Sequence, residues 1–253
     1  LAAIVAVLLA ATAVSMDFWN VRVEDVLVGQ ESSSYRVNGE IPVIPLESFS
    51  DEVASAMEDV SQKMEEQDLY LNSSPGYWLR TFDRWADCEE FIGFPLNNPL
   101  EKSSLLETAN YFAIAQDAET LNEESQRHCA VALQGNIKGE LQHVTIDTGY
   151  LMGPIRIQMT VSLYPEGSGM EPGTGGSWNG EAEFEITSGV TGEGIPYTLV
   201  VSETPESDYY NDFSSADAYF VLKNGLYTLD AVSPGRDSGA DAKAALEELL
   251  ALF

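Results

Sequence analysis

The chain has 253 residues, with 41 acidic side chains against 12 basic ones and a formal net charge of −29. A surface of that sign repels the phosphates of nucleic acid and the headgroups of anionic lipid, so neither is expected as a partner. Hydrophobic residues at 44% and aromatic residues at 10% supply enough apolar surface for a packed core, which excludes an acidic disordered tail.

The first stretch, LAAIVAVLLAATAVSM (residues 1–16), holds no charge, no proline and no glycine. As a helix it spans about 24 Å, short of a hydrocarbon core of roughly 30 Å, and Phe18 and Trp19 extend it with rings that favour the headgroup boundary. Residues 1–19 therefore read as a single-pass transmembrane signal anchor. A cleaved secretory signal is the competing reading, with Ala11-Thr12-Ala13 resembling a cleavage site. No Lys or Arg flanks the run before Arg22, so a basic cytoplasmic flank is expected upstream of Leu1. The acidic remainder is then expected on the extracytoplasmic side of the cell membrane.

Beyond the anchor, VRVEDVLV (residues 21–28) partly alternates and predicts a strand. A polar tract, Gly29 to Ser34, precedes YRVNGEIPVIPL, where Asn38-Gly39 marks a turn and Pro42 and Pro45 exclude a central strand. The spacing of Val53, Met57, Val60 and Met64 predicts a helix over Asp51 to Gln67. Ser48 or Ser50 can cap it, and Asp51 and Glu52 complement the positive end of its dipole. Asn72-Ser73-Ser74 is formally a glycosylation sequon.

The aromatic segment YWLRTFDRWADCEEFIGF places Trp78, Leu79, Phe82, Trp85, Cys88 and Phe91 at near-helical spacing and predicts a core-packing helix. Pro95 and Pro99 end it, and Leu105 to Leu121 predicts a further acid-decorated helix. The two cysteines, Cys88 and Cys129, fit one disulfide in an exported domain, closing a loop of about 42 residues worth up to about 4 kcal/mol. Their spacing suits neither a CxxC redox pair nor a zinc site.

From Cys129 onward the pattern changes to short β-rich runs: CAVALQGNI, LQHVTID, IRIQMTVSLY, WNGEAEFEI, YTLVVSE, AYFVLK and LYTLDAV. Ile155, Ile157, Met159, Val161 and Leu163 alternate, giving one buried and one polar face. Asn224-Gly225 marks a hairpin between the last two runs. Pro165 to Ser177 is glycine-rich and predicts a long exposed loop; its glycines match neither GxGxxG nor a Walker loop, so no phosphate site is read there. The closing SGADAKAALEELLALF predicts a helix started by a capping-box-like Ser238 and Asp241, with Leu246, Leu249, Leu250 and Phe253 as an apolar stripe. That stripe closes over the sheet or docks on a partner or membrane surface. The segregation of helices before strands predicts an α+β architecture with a mainly antiparallel sheet. The expected divisions are an anchor at 1–19, a helix-rich part at 20–128, and a β-rich part with its C-terminal helix at 129–253.

Little in the chain carries a catalytic signature. His128 and His143 are the only histidines, and neither sits in GxSxG, HExxH or a comparable setting. Carboxylates are too numerous to single out a hydrolytic pair, and no DxDxDG calcium loop occurs. No catalytic, cofactor-binding or metal-ligating residue is assigned. The acidic-aromatic tract ETPESDYYNDFSSADAY (residues 203–219) combines tyrosine anchors with acids suited to a basic protein partner. Tyr209, Tyr210, Asp212 and Phe213, with Phe253 at the terminus, are the expected partner contacts.

The apolar anchor, the acidic exported part with its two cysteines and the AALEELLALF tail together resemble the layout of single-pass envelope proteins of actinobacteria. Some of those are accessory subunits of respiratory cytochrome bc–oxidase supercomplexes. The resemblance implies a non-catalytic accessory or scaffold subunit, bound to integral membrane subunits and holding no cofactor of its own. An anchored receptor or carrier for a small ligand is the second reading, and a cell-wall hydrolase using two carboxylates the third.

Overall fold

The computed structural model describes residues 20–28, 30–38, 41–66, 76–111, 126–136, 138–168, 174–179, 183–203, 213–235 and 238–253. The fold is α+β, with a mainly antiparallel sheet and few helices. In chain order the strands are β1 (Asn20–Val28), β2 (Gln30–Asn38), β3 (Val43–Ile44), β4 (Gly76–Phe82), β5 (Glu107–Ala109), β6 (Cys129–Gly135), β7 (Leu141–Met152), β8 (Ile155–Pro165), β9 (Thr174–Asn179), β10 (Glu183–Val190), β11 (Pro196–Glu203), β12 (Phe213–Leu222) and β13 (Gly225–Pro234). The helices are α1 (Asp51–Glu66), α2 (Trp85–Ile92) and α3 (Gly239–Leu250). The chain divides into two units, both discontinuous in sequence: residues 42–171 with 222–227, and residues 1–41, 172–221 and 228–253. Among the described residues no helix is long and apolar enough to cross a membrane, and the expected anchor, 1–19, lies outside them.

In the unit containing residues 42–171 the strand order is β8-β7-β6-β4, all neighbours antiparallel. Cys129, Ala130, Val131, Ala132 and Leu133 of β6 are all buried, so this strand reads as an unbroken apolar run because both of its faces are covered. On β8 the expected alternation holds for Ile157, Met159, Val161 and Leu163, which are fully buried, and Tyr164 on the other face is buried too. Helix α1 forms as expected and buries Val53, Ala56, Met57 and Val60. Its cap is Ser50, whose hydroxyl oxygen accepts from Val53 N at 3.2 Å. The same hydroxyl donates to Phe91 O, and Ser50 N donates to Ile92 O at 3.0 Å, so one serine joins the start of α1 to the end of α2.

The aromatic segment departs from its helical expectation. Residues 76–82 pair one by one with β6, from Gly76↔Gly135 to Phe82↔Cys129, and only Trp85–Ile92 is helical. A neighbouring strand with open hydrogen-bonding groups decides this, because tyrosine, tryptophan, threonine and phenylalanine suit a pleated surface as well as a helix face. Strand and helix then fold onto each other: Trp78 stacks on Phe91 with ring centroids 5.1 Å apart. Gly93 ends α2 at φ 101°, and a Cβ there would lie 2.8 Å from Ser50 N. The helix expected over 105–121 is likewise not formed at its start, where Glu107–Ala109 is strand β5 paired with β7; residues 112–121 lie outside the described set.

In the other unit β1, β2 and β9 form an antiparallel three-stranded sheet, and β10-β11-β12-β13 run in sequence order. Thr174–Asn179 thus removes the C-terminal end of the expected 165–177 loop, since its residues pair with β2. Helix α3 packs against β11 and buries Ala242, Ala245, Leu246, Leu249 and Leu250. Ser238 does not cap it with its side chain; the hydroxyl turns back and donates to Gly235 O at 2.6 Å. The β12–β13 turn, which falls within residues 222–227 of the unit containing residues 42–171, is made by Lys223, at φ 54°, and Asn224. Gly225 is needed for space rather than for its φ, because a Cβ there would lie 2.9 Å from Val161 Cγ1.

Candidate functional site

The residues with the most perturbed chemistry meet at one end of β6 and β7. Antiparallel register sets Cys129 opposite Thr148, and Tyr150 follows Thr148 on the same face. Strand β5 pairs with β7 through Thr108↔Tyr150 and Ala109↔Gly149, which carries the Ala109 carbonyl to His128. A 3-10 turn at Pro99–Lys102, capped by Asn98 Oδ1 accepting from Leu100 N at 3.2 Å, anchors on buried Leu100 and aims Glu101 inward. Helix α2 supplies Cys88.

His128 sits at the centre. Its Nδ1 lies 2.9 Å from Ala109 O and its Nε2 lies 2.7 Å from Glu101 Oε1, with Thr148 Oγ1 at 3.1 Å. A carbonyl and a carboxylate both accept, so both ring nitrogens donate and the ring is an imidazolium. Tyr150 donates to the same Glu101 oxygen at 2.7 Å and accepts from Asn98 Nδ2 at 2.9 Å. Its ring meets that of His128 edge to face at 5.2 Å. Burial opposes the charge on His128, but hydrogen bonds with Cys129 and Glu101 outweigh it and carry the pKa up to about 10. The His128 hydrogen bond holds Glu101 below the usual carboxylate range, against burial and with help from Tyr150.

Cys88 and Cys129 are neighbouring free thiols, both fully buried. Interaction with the Cys129 thiol, together with burial, pushes the Cys88 thiol up. Its Cys88 neighbour and the His128 imidazolium pull Cys129 down despite its burial. The Cys129 S–H donates to Thr148 Oγ1 at 3.5 Å, and the same hydroxyl can turn to donate once the sulfur is ionised. The arrangement stores a positive imidazolium between a carboxylate and a polarised sulfur. It can hold charge and activate a thiol, with both sulfurs closed to solvent while helix α2 is packed.

His143 behaves differently. It stacks on Tyr164 with centroids 4.8 Å apart, its Nε2 is buried with no hydrogen-bond partner among the described residues, and burial lowers its pKa to about 4. Asp147, on the same face of β7, accepts from Thr160 Oγ1 at 2.6 Å, and burial raises its pKa. Among the described residues no group of three or more His, Cys, Asp or Glu side chains is placed to hold a metal ion.

Of the residues expected to contact a partner, Tyr209, Tyr210 and Asp212 lie outside the described set, and Phe213 is described only as the first backbone position of β12. Phe253 is not on the surface. It is fully buried, edge to face with Phe220 at 4.9 Å, because the chain end turns back onto its own unit. Sequence reasoning passed over Glu101, Thr148, Tyr150 and Asn98, and nothing in their spacing could have joined them. The adjacency of His128 to Cys129 was the one available signal. Comparison with protein-family models, curated proteins and solved structures finds no match.

Proposed function

We propose that this chain is a non-catalytic accessory or scaffold subunit that holds to an integral membrane protein on the extracytoplasmic side, with residues 1–19 as its anchor. A respiratory cytochrome complex is the specific partner proposed. The observation that carries the reading is an exposed apolar pair on strand β4, which ends the strand order of its unit: Tyr77 is 65% exposed and Leu79 45%, both on one face. An exposed tyrosine is the kind of anchor that stable protein interfaces bury, and Leu79 widens the apolar patch beside it. The net charge of −29 supplies long-range attraction to a basic face on the partner.

The test is a mild-detergent pull-down of the tagged chain from native membranes, with mass spectrometry and a haem absorption spectrum, run beside a Tyr77→Ser, Leu79→Ser variant. Stoichiometric recovery of cytochrome subunits, reduced about tenfold or more in the variant, is the expected result. Thermal midpoints should match, because exposed substitutions move stability by only about 0.5 kcal/mol. Recovery of the chain alone across several detergents overturns the reading.

A further inference from the structure

We propose that Cys129 and Cys88 form a dithiol that reacts with a disulfide co-reactant, Cys129 attacking first and Cys88 resolving, to close a cystine between helix α2 and strand β6.

Three features of the geometry assign the roles. Cys129 is held on β6, which is paired on both sides by β4 and β7, whereas Cys88 rides on an eight-residue helix. The reaction runs through a local opening in which α2 lifts and exposes Cys129 while β6 stays paired on both sides. The surroundings of Cys129 are Thr148 across the register and His128 next in chain, the latter kept cationic by acceptors on both nitrogens. Cys88 has Asp87 beside it and Glu101 near, both of which disfavour its thiolate. An imidazolium beside one sulfur and carboxylates beside the other separate nucleophile from resolver. His128 and Glu101 are positioning residues here, acting through the Cys129 sulfur.

The chemistry balances with a disulfide R–S–S–R as oxidant. The Cys129 thiolate attacks one sulfur of R–S–S–R, forming Cys129–S–S–R and releasing RS−. While α2 is still lifted, Cys88 loses its proton to solvent, and as the helix returns its thiolate attacks the Cys129 sulfur. The Cys88–Cys129 bond forms and a second RS− leaves. Two electrons pass from the cysteine pair to the oxidant, which ends as two thiols.

The full chain, reduced and freed of reductant, is mixed with oxidised glutathione at neutral pH and followed by intact mass and peptide mapping. Wild type should lose two hydrogens, about 2 Da, and retain no glutathione. Cys88→Ser should accumulate glutathione on Cys129, at least about tenfold faster than Cys129→Ser accumulates it on Cys88. His128→Gln, made in the Cys88→Ser chain, should move the pH midpoint of that reaction up toward an ordinary thiol, about 8.5. If a variant fails to fold, acid quenching of wild type at early times locates the first mixed disulfide instead. Two thiols that remain separately alkylatable after long exposure, or glutathione appearing first on Cys88, overturn the assignment. Neither outcome depends on whether the β4 pair binds a partner.

Discussion

His128, just before β6, and His143, on β7, respond to pH in opposite ways. The folded pKa of His128, about 10, lies above its ordinary 6.5. Its contribution to stability is therefore fully present below pH 6.5 and is lost as pH rises through about 10. His143 is depressed to about 4 by burial, so between pH 6.5 and 4 the unfolded chain takes up a proton that the folded chain refuses, and stability falls as pH drops. Denaturant titrations across pH should show both arms. His143→Phe, which keeps the ring stack on Tyr164, should remove an acid-side loss of about 2–3 kcal/mol. His128→Leu should flatten the alkaline arm and cost about 3 kcal/mol at neutral pH, because it leaves Glu101 partly buried without its cation. The cost stays near the lower end because the Glu101 side chain keeps 29% of its exposure to water. Profiles unchanged by either substitution would sink this account.

At the scale of elements, the C-terminal helix is held at its far end by backbone rather than by its stripe alone. Gly192 N donates to Leu250 O at 3.1 Å and Glu193 N donates to Phe253 O at 3.0 Å. A Cβ on residue 192 would lie 2.2 Å from Ala251 O, a backbone atom, so Gly192→Ala must push the chain end away. That displacement also withdraws Phe253 from Phe220. Phe253→Ala is expected to destabilise by about 3–5 kcal/mol, and Gly192→Ala by about 1–3 kcal/mol, in urea unfolding. Faster amide exchange in α3 should accompany both changes, with little change in β6. Exchange rising equally throughout the chain would show that the terminus is not a separate latch.

For the whole molecule, the charge of −29 makes any partner association sensitive to salt. Raising ionic strength from about 0.05 M to about 0.5 M shortens the screening length to a few ångströms and should slow association while leaving dissociation nearly unchanged. Surface-plasmon kinetics on the purified complex measure both. A dissociation rate that carries the whole salt effect would mean that buried ion pairs, not steering, dominate.

Patterns local in the chain were legible without the fold. The period of Val53, Met57 and Val60, the cap at Ser50, the alternation along β8 and the leucine stripe of α3 all express one element meeting one apolar surface, and the α+β class follows from their order. Residues 77–82 were not legible as a strand, because helix and strand suit them about equally and pairing with β6 decided between the two. The candidate site lay further out of reach. Asn98, Glu101, Ala109, His128, Thr148 and Tyr150 come together only through the registers of β5, β6 and β7 and an inward-facing turn. By itself the sequence determined composition, charge, the apolar first stretch and the periodic elements, since each depends on neighbours a few residues apart. Tertiary structure alone decided which sulfur lies beside a cation, which histidine stays neutral and that Phe253 faces inward. Those properties belong to distances between remote residues, and no local pattern encodes them.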